Sequence, residues 1–342
     1  MTVSDASEII RDEQPLMESF VPERVFHRDG QIEVIRTSLE PIFKSKNPRS
    51  LFVHGPTGVG KTSVVQWVFE KLEEGTSNAV TSYVNCWRNN SANAVLSKIA
   101  SNLNMQYFNV KKANAELLEG IVKHLEKTKK KLVVALDEID RLDEKDVLYD
   151  LTRNNFGIIC ISNDRFALMN LDTRIKSSMN LEEIDFPQYS VAEIEDIIKD
   201  RINYALAPGT IDNISIKIAA NSSNGDARVA LQMIHKAAQI AESSGSKKVS
   251  KEHIVAARKF ALKSKVELIL SSQPEELRIL YSIIESASSN GKIKSPDIFS
   301  EFLTKSKKEL SERTYRNHME KLVSLNLIKE EGEGRWREYE IL

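Results

Sequence analysis

The chain has 342 residues, and 48 Lys and Arg against 49 Asp and Glu leave a formal net charge of -1. That balance excludes a chain that is basic throughout, so any contact with nucleic acid must be made by a local patch. No run approaches the ~18 consecutive apolar residues of a membrane span, and residues 1–15 lack the apolar core of a signal peptide. The two cysteines, Cys86 and Cys160, are too few for a disulfide framework or a zinc site. They read as core thiols, and the chain reads as a cytoplasmic protein with room for two or three domains.

Residues 1–19 read as a loose tail. From 20 to 188 short apolar runs alternate with helical patterns. Leu51–His54, Val80–Val84, Leu132–Leu136, Gly157–Ser162 and Glu183–Phe186 are the expected strands. That alternation predicts an α/β unit with a parallel sheet and helices on both faces. Residues 189–264 carry helical spacing only, in Ser190–Ala205, Ile211–Asn221, Asp226–Glu242 and Ser250–Ala261. Ser190 with Glu193 has the form of a capping box, and Ser250 opens the last helix. This stretch predicts a small all-helical unit. Residues 265–342 change again. Pro274–Ala287, Ser295–Thr304 and Ser311–Leu325 read as helices. Two short strands follow, Leu327–Glu330 and Trp336–Ile341, around a Gly332-Glu333-Gly334 turn. Three helices and a hairpin predict a winged helix.

The chemistry begins at Gly55-Pro56-Thr57-Gly58-Val59-Gly60-Lys61-Thr62, which fits the phosphate-binding loop G-x-x-x-x-G-K-[ST] at every fixed position. An apolar strand precedes it and a helix starting near Ser63 follows. In that setting the glycines let backbone N–H groups approach phosphate, and the helix N-terminus adds a favourable dipole. Lys61 is expected to reach the β- and γ-phosphates, and the Thr62 hydroxyl to ligand Mg²⁺. The second element, Leu132 to Asp140, is an apolar strand ending in adjacent carboxylates. Asp137 is expected to hold Mg²⁺ and Glu138 to polarise the attacking water. Asn163, ending the next strand, is placed to orient water near the γ-phosphate. Arg228, opening a helix of the helical unit, is placed to reach the same phosphate from a lid. Arg174 is positioned to act as an arginine finger on a neighbouring subunit. Each has a plainer reading taken alone: a strand meeting solvent, an Asn in a turn, a surface Arg set against the helix macrodipole.

Together, GPTGVGKT, LDEIDRL, YDLTR, ISND, LDTRIKSS and GDARVAL resemble the AAA+ initiators of the archaeal origin-recognition and cell-division-control type, over roughly Phe20 to the C-terminus. The resemblance implies ATP or ADP bound between an α/β base and a helical lid, with slow hydrolysis acting as a switch. It implies a C-terminal winged helix on double-stranded origin DNA, other initiator subunits on that DNA, and a replicative helicase to be loaded. Carried over by position, Lys61, Thr62, Asp137, Glu138, Asn163, Arg174 and Arg228 take the roles given above. Val25 and Phe26, in Val25-Phe26-His27-Arg28, match the stretch that packs near adenine. Thr173 departs from the proline often found before the finger arginine.

The interval between the phosphate loop and Asp137 is long for the path it must make, and the excess lies in Asn104–Ala113. In this family an insertion here contacts DNA. Lys111 and Lys112 beside Tyr107 and Phe108 suit that role; a helix–helix loop with core aromatics is the other reading. In the winged helix, Arg313, Arg316 and Asn317 with Tyr315 lie near the start of the expected recognition helix, where side chains reach base edges. Lys305, Lys307 and Lys308 would meet phosphates, and Arg335 and Arg337 lie on the wing. Trp336 either joins them or packs the hairpin on the helices. Nearby glutamates dilute the patch, so three rivals stay open. They are a signalling ATPase with a docking winged helix, a clamp-loader-like subunit, and a regulatory paralogue at origins.

Overall fold

A computed structural model describes residues 9–105, 113–271, 273–288, 291–306, 311–325, 327–332 and 336–341. It divides into two compact units, Met1–Arg258 and Lys259–Leu342.

The first unit opens with a short 3₁₀ turn, Gln14–Leu16, and helix α1 (Asp29–Leu39). Strand β1 (Leu51–His54), α2 (Lys61–Gly75), β2 (Ala79–Asn85), α3 (Ala92–Asn102), α4 (Asn114–Thr128) and β3 (Lys131–Asp137) follow. Then come α5 (Asp146–Arg153), β4 (Gly157–Ser162), α6 (Thr173–Met179) and β5 (Glu182–Asp185). The strands form one five-stranded sheet in the order β2-β3-β4-β1-β5, every pair parallel. β1 and β4 are buried at every position and β3 at all but its first. Continuous apolar runs of this kind belong to parallel strands covered on both faces. Parallel pairing sends the C-terminal ends of all the strands to one edge, where ligands of open α/β sheets bind. The expected strands are all present, with ends shifted by at most one or two residues.

Four helices follow: α7 (Val191–Ala205), α8 (Asn213–Ser222), α9 (Ala227–Ser243) and α10 (Lys251–Ser271), the last of which runs past Arg258 into the second unit. Side-chain caps fix three of their starts. Ser190 and Glu193 make the reciprocal capping box, and Asp212 and Asp226 accept from Ser215 N and Val229 N. Ser250 N donates to His253 Nδ1 at the start of α10. That helix continues past the expected end at Ala261 and carries the chain across the expected boundary at 264/265.

Residues 9–19 are not the loose tail expected. Ile9 is fully buried and Leu16 nearly so. Ile10 bridges to Leu206, and the Arg11 and Asp12 amides donate to Ala205 O at 2.8 and 3.2 Å. The Glu242 carboxylate accepts from the amides of Ile9 and Ile10, both at 2.8 Å. A few apolar anchors and one distant carboxylate thus hold a strongly polar segment against the helical part of the unit.

The second unit contains α11 (Glu275–Ser288), β6 (Ile293–Lys294), α12 (Ser295–Lys305), α13 (Glu312–Ser324), β7 (Ile328–Glu331) and β8 (Glu338–Ile341). Its sheet is antiparallel, in the order β6-β8-β7. Helix, strand, helix, helix, strand, strand is the winged-helix order. The sequence pattern had not indicated the two-residue strand β6. Leu277, Leu280, Ile283, Ile284, Ile298, Phe302, Met319 and Leu322 form the centre of its core. Among the described residues, no helix is long and apolar enough to cross a membrane. Cys86 and Cys160 are free and buried, and burial pushes the Cys86 thiol up to about 12.

Candidate nucleotide site and nucleic-acid surface

β1 runs out into the loop Gly55–Gly60, where Gly55, Gly58 and Gly60 all adopt positive φ. Gly55 and Gly58 are the positions where this freedom is needed: a Cβ on Gly55 (φ +146°) would lie 2.2 Å from Phe186 O. A Cβ on Gly58 would lie 1.8 Å from Asp226 Oδ1, on a backbone (φ +71°) that side chains rarely tolerate. Asp226 caps α9, and Ala227 N donates to Gly58 O at 3.0 Å. The helical part of the unit therefore rests directly on the loop. Helix α2 starts at Lys61 with no side-chain cap, leaving its first-turn N–H groups directed at the loop.

Lys61 is only 6% exposed. Its ammonium donates to Gly55 O at 2.7 Å, Pro56 O at 2.6 Å and Asn163 Oδ1 at 2.9 Å. All three acceptors are neutral. Burial drives its pKa down to about 8, opposed by the charge of Asp137. A buried cation satisfied by neutral oxygens alone suits a site completed by an anion.

Asp137, buried at the end of β3, accepts from the Thr62 hydroxyl at 2.6 Å and from the Tyr83 hydroxyl at 2.8 Å on one oxygen. Its other oxygen accepts from Glu138 N at 2.9 Å. Thr62 and Asp137 thus bring a hydroxyl and a carboxylate together, a donor set suited to a hard divalent cation. Glu138 sits at φ +54°, a left-handed conformation uncommon for this residue type. Burial, followed by the charges of Asp137 and Asp140, raises its pKa, and a hydrogen bond from Asn85 opposes the rise. The β2–β3 register sets Asn85 opposite Asp137, which explains why the end of β2 serves this site.

These groups line one cavity of about 530 Å³, within the range of small-molecule sites. Val25, Phe26, Thr57, Gly58, Val59, Gly60, Lys61, Thr62, Ser63, Asp137, Glu138, Asn163 and Arg228 from the sequence reading all face it. Gly55 and Pro56, also expected at the site, do not line it; their carbonyls accept from Lys61. Arg174 does not line it: its side chain is 86% exposed, with Nε 3.4 Å from Asp172.

Tyr83, Asn85 and Glu18 line the cavity without having been expected there from the sequence. Tyr83 falls within the expected strand Val80–Val84, and Asn85 lies just beyond its expected end. Glu18 lay in the supposed tail, yet its Oε1 is 3.1 Å from Arg228 Nε. Arg28, placed near the base in the sequence reading, is buried and holds backbone. It donates to Val59 O at 3.1 Å and Pro187 O at 2.7 Å, and its guanidinium lies 3.8 Å from the Tyr189 ring centroid. The Arg28 signal was its neighbours Val25 and Phe26. For Glu18 there was none.

In the second unit Arg313, Arg316 and Asn317 are exposed on α13, as expected, and Ser311 caps the helix at Thr314 N. Tyr315 corrects the expectation. It is 5% exposed, sits in the core, and its hydroxyl donates to Ser295 O at 3.0 Å. One turn from Met319, it shares that residue's apolar face. Lys305, Arg316 and Arg337 are accessible but paired with Glu301, Glu312 and Glu330. Trp336 is 78% exposed, so it does not pack the hairpin onto the helices. Lys111, Lys112, Tyr107, Phe108, Lys307, Lys308 and Arg335 lie outside the described residues.

An AAA domain matches residues 44–166, and a Cdc6 AAA+ ATPase-type lid domain matches residues 195–259. ORC1-type DNA replication protein 1 of Sulfurisphaera tokodaii is 35% identical over 282 residues, spanning 78% of this chain and 71% of that protein. The protein of the same description from Sulfolobus acidocaldarius is 32% identical over 306 residues, spanning 85% and 77%. The structure of the Aeropyrum pernix ORC1 protein in complex with DNA matches with a TM-score of 0.77 at 26% identity, covering 97% of this chain and 94% of that one. At this identity and coverage, the chain belongs to the family of ORC1-type DNA replication proteins.

Proposed function

We propose that this protein is a replication initiator that binds origin duplex under the control of ATP and ADP. The observation that carries the reading is the meeting of sheet-edge groups Lys61, Asp137, Glu138 and Asn163 with Arg228 of α9 in one cavity. A site closed partly by a separate helical element can report which nucleotide it holds. Lys61 and the loop amides bind phosphate. Thr62 and Asp137 hold Mg²⁺. Val25 and Phe26 flank the base, and Arg228 senses the terminal phosphate. When bound, Mg²⁺–ATP supplies the phosphoanhydride whose hydrolysis separates the two states. Glu138, with its carboxylate pKa raised and its position held by Asn85, orients and polarises water. Asn163 shares that water while it restrains Lys61. Arg174, exposed and clear of its own cavity, serves a neighbouring copy on DNA.

The DNA reader is α13 with the wing. Arg313, Arg316 and Asn317 face base edges, Lys305 and Arg337 meet phosphates, and loading of a replicative helicase follows. Binding to origin-derived and random duplexes with ATP across a salt series tests the reading. A steep salt slope, preference for origin sequence, and loss of that preference in Arg313→Ala/Arg316→Ala support it. Weak, salt-insensitive binding of both duplexes by both proteins refutes it. That outcome would favour a protein-docking winged helix, a rival supported by the glutamates paired with Lys305, Arg316 and Arg337.

A further inference from the structure

The segment 9–20 is fastened to the helices of the first unit and then forms part of the wall of the nucleotide cavity, which Leu16, Met17, Glu18, Ser19 and Phe20 all line. Its fastening lies upstream of Glu18. The Ile9 and Ile10 amides sit on Glu242, Glu13 Oε1 is 3.3 Å from His235 Nε2, and Leu16 is buried. These contacts fix where Glu18 arrives. There one oxygen, Oε1, meets two donors of α9: Arg228 Nε at 3.1 Å and Gln232 Nε2 at 3.2 Å. Residues 228 and 232 are four apart and share one helix face. The carboxylate is therefore gripped by a pair of side chains, one of which is the arginine assigned to the terminal phosphate.

We infer that Glu18 is a specificity-determining residue: a built-in anion that occupies Arg228 and competes with a nucleotide's γ-phosphate for it. The inference rests on the reading of Arg228 as the phosphate sensor. A γ-phosphate must draw Arg228 away from Glu18, whereas a diphosphate leaves the pair intact. Glu18 therefore lowers the preference for triphosphate over diphosphate. The pair is about half exposed on both sides, so the competition is weak enough to be overcome by a phosphate dianion. It is also held in place by Gln232 and the upstream anchors, so it re-forms when the triphosphate is gone.

The test is equilibrium binding of ATPγS and ADP to the full chain by calorimetry, with Mg²⁺. It compares wild type, Glu18→Gln, Arg228→Ala and the double variant. Expected is a two- to five-fold rise in the ATPγS-to-ADP affinity ratio in Glu18→Gln, a fall in Arg228→Ala, and no effect of Glu18→Gln when Arg228 is absent. An unchanged ratio in Glu18→Gln beside a lowered one in Arg228→Ala overturns the role of Glu18 and leaves the sensor reading standing. An unchanged ratio in Arg228→Ala overturns both. A rise on Glu18→Gln that persists without Arg228 overturns competition for that arginine. Glu18 is exposed, so its substitution leaves folding intact; circular dichroism of each variant checks this.

Discussion

If Lys61 holds nucleotide phosphate as proposed, affinity for nucleotide depends on pH near 8. The Lys61 pKa in the free protein is about 8, against 10.5 for an ordinary lysine, because burial penalises the charged form more than Asp137 supports it. A bound polyphosphate favours the ammonium, so in the complex the pKa moves back up. Binding therefore takes up a proton wherever the free site is neutral, and affinity falls as pH rises through 8. With the free pKa at 8, the protonated fraction drops from about nine-tenths at pH 7 to about one-tenth at pH 9. The expected loss is about ten-fold, or ~1.4 kcal/mol. Stability of the free protein runs the other way. Between pH 8 and 10.5 the unfolded chain holds a proton on this residue that the native one has released, so stability rises with pH across that window, by about 3 kcal/mol at most. Calorimetric titration of ADP at pH 7, 8 and 9, in buffers of different ionisation enthalpy, measures both the affinity and the proton uptake. An affinity that stays flat to pH 9, with no proton uptake at pH 8.5, refutes the argument, because the lysine would then be charged throughout.

Glu138→Gln should keep ADP affinity within about two-fold and lower ATP turnover at least about 100-fold in a phosphate-release assay, since only the base is removed. Gly58→Ala should cost about 1–3 kcal/mol in thermal unfolding and weaken nucleotide binding, because its Cβ would displace the carboxylate that caps α9; an unchanged melting temperature would show that the loop and α9 are not coupled there. Tyr315→Phe should destabilise the second unit by about 1 kcal/mol through loss of the bond to Ser295 O, with duplex affinity unchanged. Reduced duplex binding by this variant at full stability would return Tyr315 to the DNA surface.

The parts legible in the sequence were those whose physics is local. Continuous apolar runs such as Leu132–Leu136 and Gly157–Ser162 can be satisfied only by strands buried on both faces. A glycine-rich turn after such a strand has few other uses. Ser190 with Glu193, and Ser311 ahead of α13, announced helix starts because caps act within three residues. What stayed hidden depends on distant partners. Ile9 is buried only because Glu242 and Ala205, more than 190 positions away, receive the segment's amides. Tyr83 and Asn85 become site residues only through the register that sets β2 beside β3. Tyr315 was different, because its position was available from the outset. It precedes Met319 by four and Leu322 by seven, the spacing of one helix face, and its aromatic character drew it wrongly to the DNA side.

Lys61 and Arg228, two of the five lysines and arginines that line the cavity, differ in a way that suits the proposed nucleotide switch. Lys61 is enclosed and held by three neutral oxygens. Removing an anion from beside it leaves a buried charge poorly compensated, so its contribution to affinity is large and common to ATP and ADP. Arg228 is half exposed and already holds a carboxylate whose loss water can replace cheaply. Moving it between Glu18 and a terminal phosphate therefore involves a small difference between two good arrangements. A small difference is what a switch requires, since a ligand shifts a two-state equilibrium only by its differential affinity for the two states. In the proposed reading, Lys61 sets whether nucleotide binds at all. In the same reading Arg228, mounted on α9 and paired with Glu18, sets whether the protein responds differently to three phosphates than to two.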